Sequence, residues 1–364
     1  MGVHVIVSRV SLRNFRSYGS LELALEPGVV LITGPNGAGK TNLLEALHVG
    51  SQGFSPRTRA DARLIRFGEQ AARVSLAGDE GGSPVETQVD VKGSQGKEVR
   101  VNGALLTSAD ELRLRLSALA FTPDRLAVVK GGPLVRRAYF DRMLGRLFPA
   151  RADLPGRYGR TLAQRNAALR RVRAGESSRD AVDPWTQQVA DLGSELERGR
   201  SELAGLLEPR FREKGALLGL DDAELDYEER TLTADDLNAR LDADIERGTT
   251  GVGPHLRDVR VSSGGRDLRV YGSQGEQRSA VLALVVAEGD LVLEKRNVPP
   301  LFLFDDVFSE LDESRRLALV TSLPTGSQTF VTMTDETTYP AGAPEPALAV
   351  SVRREAGVSL AEAA

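Results

Sequence analysis

The chain contains the sequence Gly34-Pro35-Asn36-Gly37-Ala38-Gly39-Lys40-Thr41, which fits the pattern G-x-x-x-x-G-K-[ST]. A short apolar, β-branched run at residues 29–33 precedes it, and leucines recur at helical spacing after it. A strand, a glycine-rich loop and a helix in that order allow backbone N–H groups and a helix N-terminus to surround a phosphate. We therefore predict that the eight residues bind ATP. Lys40 would reach its β- and γ-phosphates, and the Thr41 hydroxyl would serve Mg²⁺.

A second apolar run, Leu301-Phe302-Leu303-Phe304, ends in two carboxylates, Asp305 and Asp306. In an enzyme with a phosphate loop, the first carboxylate supports Mg²⁺ and the second polarises the attacking water. Adjacent carboxylates repel each other unless a cation lies close. The sequence thus predicts Asp306, Asp305 and Lys40 as catalytic residues, with Thr41 and Asp305 at the metal.

Composition bounds the remaining possibilities. The 364 residues contain no cysteine, which excludes disulfides, thiolate metal sites and cysteine nucleophiles. The longest apolar run, at residues 280–287, is far shorter than the roughly 20 residues of a membrane span. We expect a soluble, cytoplasmic protein with no membrane partner. The net charge of −4 does not exclude a basic face that binds nucleic acid.

The character of the sequence changes twice along the chain. Residues 72–122 are β-rich, the segment from Pro133 to about Glu229 is mostly helical, and α/β signals return after about residue 250. A last strand is predicted near residues 347–352, with frayed residues after it. We predict an α/β fold with an inserted, largely helical lid domain. The predicted boundaries are 1–125 for the first lobe with the phosphate loop, 126–248 for the insertion, and 249–364 for the remainder of the ATPase domain.

A further loop, Ser273-Gln274-Gly275-Glu276, precedes an apolar helical run. Its hydroxyl and bare backbone could meet a phosphate at that helix N-terminus. The motif is weak alone, but it lies after the phosphate loop and about 30 residues before Asp305, and Ser309-Glu310-Leu311-Asp312 follows that strand. This order resembles the ABC ATPases, with Walker A, signature, Walker B and D-loop. The resemblance implies an ABC-type head in which the signature of one copy caps ATP held by another, and hence an ATP-dependent homodimer.

The sequence also departs from transporter ATPases. All three histidines precede Asp305, so Thr332 or Thr334 must stand at the position of the usual switch histidine. Asp306 replaces the usual catalytic glutamate and is one methylene shorter. We therefore expect weak, slow ATP hydrolysis. The segment Thr122-Pro123-Asp124 is the candidate Q-loop.

One spacing and three further segments narrow the resemblance. The separation between Gly34 and Ser273 is longer than in transporter heads and shorter than in proteins with long coiled coils. The segments are Leu12-Arg13-Asn14-Phe15-Arg16-Ser17-Tyr18, Phe121-Thr122-Pro123-Asp124-Arg125-Leu126 and Gly253-Pro254-His255. In these features the chain resembles the RecF family of recombination mediators. One departure is Leu256, where the family usually has arginine. The resemblance implies ATP-dependent binding to double-stranded DNA and gap junctions, with RecR, RecO and RecA as partners.

An arginine-rich stretch provides the candidate DNA surface. Residues 136–173 contain eleven arginines against two acidic residues. Such side chains grip backbone phosphates in a salt-dependent way. The predicted contacts are Arg136, Arg137, Arg142, Arg146, Arg170 and Arg171. Alternatively, these arginines pair with the acidic stretch at residues 221–246 or solvate helices. His255 and Trp185 are expected to be structural.

Two other functions stay open at this point. One is an ATPase subunit of a transporter, against which the absent switch histidine and the spacing count. The other is a nuclease-linked ATPase of the SMC-like type, although the sequence shows no metal-binding nuclease domain.

Overall fold

The computed structural model describes residues 5–93 and 96–363, without the side chains of residues 109, 110 and 114. Its strands, in chain order, are β1 (Val5–Phe15), β2 (Tyr18–Ala24), β3 (Val29–Thr33), β4 (Ala71–Glu80), β5 (Ser83–Lys92), β6 (Gly96–Val101), β7 (Ala104–Leu105), β8 (Ala118–Phe121), β9 (Glu224–Asp226), β10 (Arg260–Ser263), β11 (Arg266–Asp267), β12 (Leu301–Phe304), β13 (Thr329–Met333), β14 (Leu348–Glu355) and β15 (Val358–Ala363).

The helices alternate with these strands and dominate the middle of the chain. They are α1 (Lys40–Gln52), α2 (Ala109–Arg115), α3 (Ala127–Lys130), α4 (Pro133–Leu147), α5 (Leu154–Arg173), α6 (Asp183–Leu217), α7 (Ala234–Asn238), α8 (Leu241–Arg247), α9 (Leu268–Tyr271), α10 (Gln274–Arg296) and α11 (Glu313–Thr321). No helix in the described part of the chain is long and apolar enough to cross a membrane.

The chain forms two compact units. The first, called the head, comprises the described residues up to Leu126, Lys214–Leu220, and those from Gln274 onward. The second, called the insertion, comprises Ala127–Glu213 and Asp221–Ser273.

The head contains a mostly parallel sheet in the order β15-β14-β3-β13-β12-β8. The strands from β14 to β8 run parallel, and β15 pairs antiparallel with β14 at the edge. The strands predicted from continuous apolar runs, β3 and β12, form as expected and are buried on both faces. Because β3 and β12 point the same way with only β13 between them, the residues that follow each strand meet at one edge of the sheet.

A second head sheet is antiparallel, in the order β2-β1-β4-β5-β6-β7. The predicted β-rich segment supplies β4 to β6, and turns at Gly81-Gly82 and Asn102-Gly103 connect paired strands. Helix α1 contacts both sheets. Its apolar residues share one core with strands of each sheet, so the helix that follows the phosphate loop is firmly anchored.

The last strand corrects one expectation. Residues after 352 are not frayed, because β15 pairs with β14 from Val350↔Ala363 to Glu355↔Val358. Ser359 and Ala361 are buried. The two-residue turn between the strands, Ala356-Gly357, has positive φ at both residues, as a type I′ hairpin requires.

The insertion is helical, as the sequence predicts, with a small sheet in the order β11-β10-β9. The predicted boundary at residue 248 differs from the structure, which keeps the chain up to Ser273 in the insertion. The reason is that β10 pairs with β9, on the far side of the acidic stretch. The β-strand pattern of β10 in the sequence does not show that β9 is its partner.

Candidate nucleotide site

The phosphate loop has a backbone that only glycine adopts easily. Gly34 has φ 143° and Gly39 has φ 123°. A Cβ at Gly34 would collide with the carbonyl oxygen of Val352, and one at Gly39 would collide with the hydroxyl of Ser359. Both positions therefore need glycine for conformation and for space.

Hydrogen bonds from residues distant in sequence stabilise the phosphate loop. The Ser359 hydroxyl donates a hydrogen bond to the carbonyl oxygen of Ala38 at 2.5 Å, and the Ser359 N–H donates to Ser17 O at 3.0 Å. The Tyr18 hydroxyl donates to Gly39 O at 3.1 Å. Ser359 was not predicted at this site, because its segment was expected to be frayed.

Lys40 is nearly buried at the start of α1. Its Nζ donates to the carbonyl oxygens of Gly34 at 2.6 Å and Pro35 at 3.0 Å. Burial lowers the pKa of the ammonium, while the charges of Asp306 and Asp305 raise it. The ammonium thus lies within the loop and close to both predicted carboxylates, where it can exchange carbonyl oxygens for phosphate oxygens.

The predicted metal residues are in contact. The Thr41 hydroxyl donates to Asp305 Oδ1 at 2.8 Å, and the Thr332 hydroxyl donates to the same oxygen at 2.9 Å. The backbone N–H of Asp306 donates to Thr332 Oγ1 at 2.8 Å. Of the two threonines considered for the switch position, Thr332 is buried at the site and Thr334 is exposed.

Burial dominates the electrostatics of Asp305. It raises the pKa of the carboxyl, although the hydrogen bonds from Thr41 and Thr332 lower it. A carboxylate removed from water in this way is stabilised by a nearby cation.

The residues present suit Mg²⁺. A hydroxyl and a buried carboxylate in contact are hard oxygen donors, and Mg²⁺ usually takes one or two protein ligands beside phosphates and water. Among the described residues, no cluster of three acidic, histidine or cysteine side chains is placed to hold a metal. Thr41 and Asp305 would hold Mg²⁺, and when bound it would withdraw charge from the phosphate oxygens.

Asp306 has an unusual backbone conformation. Its φ of 50° and ψ of 40° are left-handed, a region that aspartate tolerates better than most residues. Its side chain is exposed at the end of β12. The carboxylate therefore faces solvent beside the phosphate loop, where it could polarise a water.

The structure identifies Arg278 as a residue that the motifs did not single out. Its buried guanidinium lies over the ring of Phe121 at 5.2 Å and donates to Asp306 O at 2.7 Å. It also pairs with Glu310 at 3.0 Å. Arg278 thus joins the helix that follows the signature loop to the turn that follows Asp306. In the sequence, the only indication of this role is that an arginine lies within an apolar helical run.

A second group missed by the sequence analysis surrounds Glu45 on α1. This carboxylate is fully buried and pairs with Arg16 at 2.7 Å and with Arg57 at 3.1 Å. The Ser55 hydroxyl donates to it at 2.6 Å. These contacts hold the segment after α1 against α1 itself, which is the helix that follows the phosphate loop.

The signature loop begins α10 with an accessible backbone. Ser273, Gln274 and Gly275 are exposed, and Glu276 is half-buried. Ser273 is the last residue of the insertion and Gln274 the first of the next head segment. The helix behind them is 23 residues long, so its N-terminus can present a partial positive charge to an anion.

The arginine-rich stretch needs one correction. Arg136 is only 2% exposed, pairs with Asp258 at 2.8 Å and donates to Val129 O. It is wrong as a DNA contact because its guanidinium is enclosed by protein. Arg137 is half-buried and donates to Arg257 O at 2.9 Å.

The other predicted DNA contacts remain at the surface. Arg142, Arg170 and Arg171 are exposed, and Arg146 is half-buried. The alternative of pairing with the acidic stretch is correct for Arg165, which pairs with Asp244 in the interior.

His255 and Trp185 make internal contacts, which suits the structural role expected of them. His255 shares a hydrogen bond of 2.7 Å with the Tyr158 hydroxyl and one of 3.0 Å with Thr250 O, and burial lowers its pKa. Trp185 packs on a small core formed by Ala168, Leu169 and Val182.

The first prediction concerns Asp305→Asn. In the nucleotide-free parent, the raised pKa of Asp305 means that the folded state binds more protons than the unfolded state above the ordinary value of 3.8. Stability should therefore fall as pH rises through that window, and the variant should lack this loss. We expect a melting temperature a few degrees higher at pH 7 for the variant, together with loss of Mg²⁺-dependent ATP hydrolysis.

Thermal unfolding without nucleotide, repeated between pH 4 and 8, checks this expectation. The exposed Asp180→Asn is the control and should leave both properties unchanged. A variant of Asp305 that melts below the parent at pH 7 would contradict the assignment of burial as the dominant effect.

The chain is similar to several known proteins. The family model described as RecF/RecN/SMC N terminal domain matches residues 6–356. The DNA replication and repair protein RecF of Heliobacterium modesticaldum is 35% identical over 342 residues, which cover 90% of this chain and 92% of that protein. The solved structure of the recombination mediator protein RecF with ATP has a TM-score of 0.85 at 26% identity, covering 100% of this chain and 99% of that chain. The Smc head domain derived from Pyrococcus furiosus shares the fold, with a TM-score of 0.61 at 17% identity. The match covers 99% of this chain and 96% of that chain.

Proposed function

This chain belongs to the RecF family, and from that membership we propose that it is an ATP-dependent, DNA-binding recombination mediator whose two copies close around ATP. The observation that carries the proposal is the contact of Thr41 with the buried Asp305, beside an ammonium already inside the phosphate loop. These groups are in place to bind a triphosphate with its metal.

Hydrolysis would convert ATP and water to ADP and phosphate. Lys40 would neutralise charge on the phosphates, and Asp306 would polarise the attacking water. The short carboxylate reaches less far than a glutamate would. The Thr332 hydroxyl is already engaged with Asp305 and cannot act as an imidazole does. Both features support slow hydrolysis, suited to a switch.

The exposed signature backbone supports an ATP-bridged homodimer. Ser273 and Gly275 would cap the γ-phosphate of ATP bound by a second copy, so each dimer would contain two composite sites. Hydrolysis would remove the shared phosphate and release the copies.

DNA would be gripped by the surface arginines of the insertion, chiefly Arg142, Arg170 and Arg171. Such contacts read backbone and junction shape more than base sequence. We propose double-stranded DNA and gap junctions as substrates and RecR, RecO and RecA as cytoplasmic partners. The RecFOR pathway named for the solved relative supports RecO and RecR.

The second prediction tests dimerisation with Ser273→Arg. We expect ATP to dimerise the parent in sedimentation experiments and to tighten its binding to DNA. The variant should bind ATP normally, but a bulky cation in the signature loop should weaken dimerisation by about tenfold or more, since it displaces contacts worth over 1.4 kcal/mol.

A matched control is Ser178→Arg, which adds the same charge at an exposed serine far along the chain from the signature. It should dimerise as the parent does. Dimers that form without ATP, with unchanged DNA affinity, would contradict the proposed function.

A further inference from the structure

The head carries a concavity of about 740 Å³ that the nucleotide site does not use. It is lined by the segment from Ala62 to Ala71 together with Lys92 and Gly93. We propose that it binds an unpaired nucleotide of DNA, with the base stacked on Phe67 and the phosphates held by Arg63 and Arg66. This inference rests on the proposed DNA-binding function and specifies how a gap would be distinguished from continuous duplex.

The ring of Phe67 is fully exposed, while the backbone on either side is fixed. Ile65 packs against the main core and bridges Phe15. The N–H of Arg66 donates to Asn14 O at 2.8 Å, and Gly68 turns the chain with a φ of 89°. An aromatic ring presented on a rigid turn is a preformed platform for stacking, because little conformational entropy is lost when it binds.

The charges around this ring favour an anionic ligand. Neither the Arg63 nor the Arg66 guanidinium has an ion pair or hydrogen bond within the described residues. Of the nearby acids, Asp61 pairs with Lys97 at 3.0 Å, while Glu69 keeps its charge and accepts a hydrogen bond from the Asn14 amide at 3.1 Å. The concavity therefore presents two arginines without ion pairs, against the single carboxylate of Glu69, beside an exposed aromatic face.

A neighbouring concavity of about 520 Å³ extends the same surface. The two share the segment from Gly68 to Ala71, and Arg13, which is exposed, lines the second. Glu69 and Asp90 also line the second concavity, and Asp90 pairs with Arg73, so Arg13 is the cation that an adjoining phosphate could reach.

Stacking selects unpaired DNA over duplex. Within a duplex each base face is covered by its neighbours, whereas an unpaired base can place a face on an aromatic ring. Such stacking tolerates any base, which suits a protein that must act at gaps of any sequence. A purely phosphate-binding surface would need no exposed phenylalanine.

The third prediction is tested by DNA affinity in the presence of ATP. Phe67→Ala should weaken binding to a duplex with a short single-stranded gap by about tenfold, and leave binding to a continuous duplex unchanged. Phe67→Trp should restore gap binding. Arg63→Ala should reduce the salt dependence of gap binding by about one unit of slope.

The control is Leu105→Ala, which removes another exposed apolar side chain from the head and should change neither affinity. In addition, 5-iodouracil placed in the gap should crosslink to the peptide that contains Phe67. Equal loss on both DNAs, or gap affinity unchanged by Phe67→Ala, would overturn the inference. So would Phe67-dependent capture of a protein partner without any crosslink to DNA. Failure of the parent to bind duplex in an ATP-dependent way would instead refute the proposed function.

Discussion

Replacing Lys40 by alanine should weaken ATP binding by about one to two orders of magnitude, since a charge-assisted hydrogen bond contributes about 1.5–3 kcal/mol. The ammonium is nearly buried, donates to two carbonyl oxygens of the phosphate loop and lies near both carboxylates. No other described lysine or arginine donates into the loop, so nothing replaces it. Calorimetric titration with ATP provides the measurement.

The fold should tolerate this change. Burial penalises the charged form of Lys40, so its removal should not lower the unfolding midpoint. The control is Lys130→Ala, an exposed lysine that ends α3, which should bind ATP as the parent does. ATP affinity within twofold of the parent in Lys40→Ala would show that the loop does not hold the triphosphate.

Replacing Arg165 by methionine should destabilise the insertion by about 3–5 kcal/mol, the usual effect of breaking a buried ion pair on one side. Arg165 and Asp244 are both fully buried and meet at 3.0 Å. Arg165 also donates to the Thr250 hydroxyl at 2.7 Å. The variant would leave the Asp244 charge without its cation in the interior.

Urea unfolding can follow this change through Trp185, the single tryptophan, which packs in the same unit. The control is Arg157→Met, because Arg157 and Asp153 form a largely exposed pair at 4.0 Å that should contribute less than about 1 kcal/mol. Asp244→Asn combined with Arg165→Met should recover part of the loss. Equal effects of Arg165→Met and Arg157→Met would contradict the argument.

The nucleotide site was predictable because its parts are local. The eight residues of the phosphate loop are contiguous, and β12 delivers Asp305 directly from a buried apolar run. Their meeting at one sheet edge follows from parallel strand order.

Counting arginines wrongly predicted Arg136 as a DNA contact, because a count does not show which face of the helix each arginine occupies. Arg136 lies four residues before Phe140 and seven before Met143, and all three are buried on one side of α4. Arg165 likewise precedes Ala168 and Leu169 on the buried side of α5. Helical spacing would have separated these arginines from the exposed ones.

The hairpin that contains Ser359 was missed for a different reason. Its type I′ turn uses Ala356 before Gly357, whereas asparagine or aspartate is the usual first residue. The contacts of Ser359 with Ala38 and Ser17 span more than three hundred residues of sequence, and no local pattern indicates them.

The left-handed backbone at Asp306 constrains any attempt to accelerate the proposed ATP hydrolysis. A glutamate there would extend the carboxylate, but most residues other than glycine, asparagine and aspartate pay about 1–2 kcal/mol in that conformation. The same main chain accepts Arg278 and Ser309 hydrogen bonds through its carbonyl oxygen. A variant designed to hydrolyse ATP faster would therefore need changes throughout this turn, because replacing the Asp306 side chain alone would conflict with the backbone conformation.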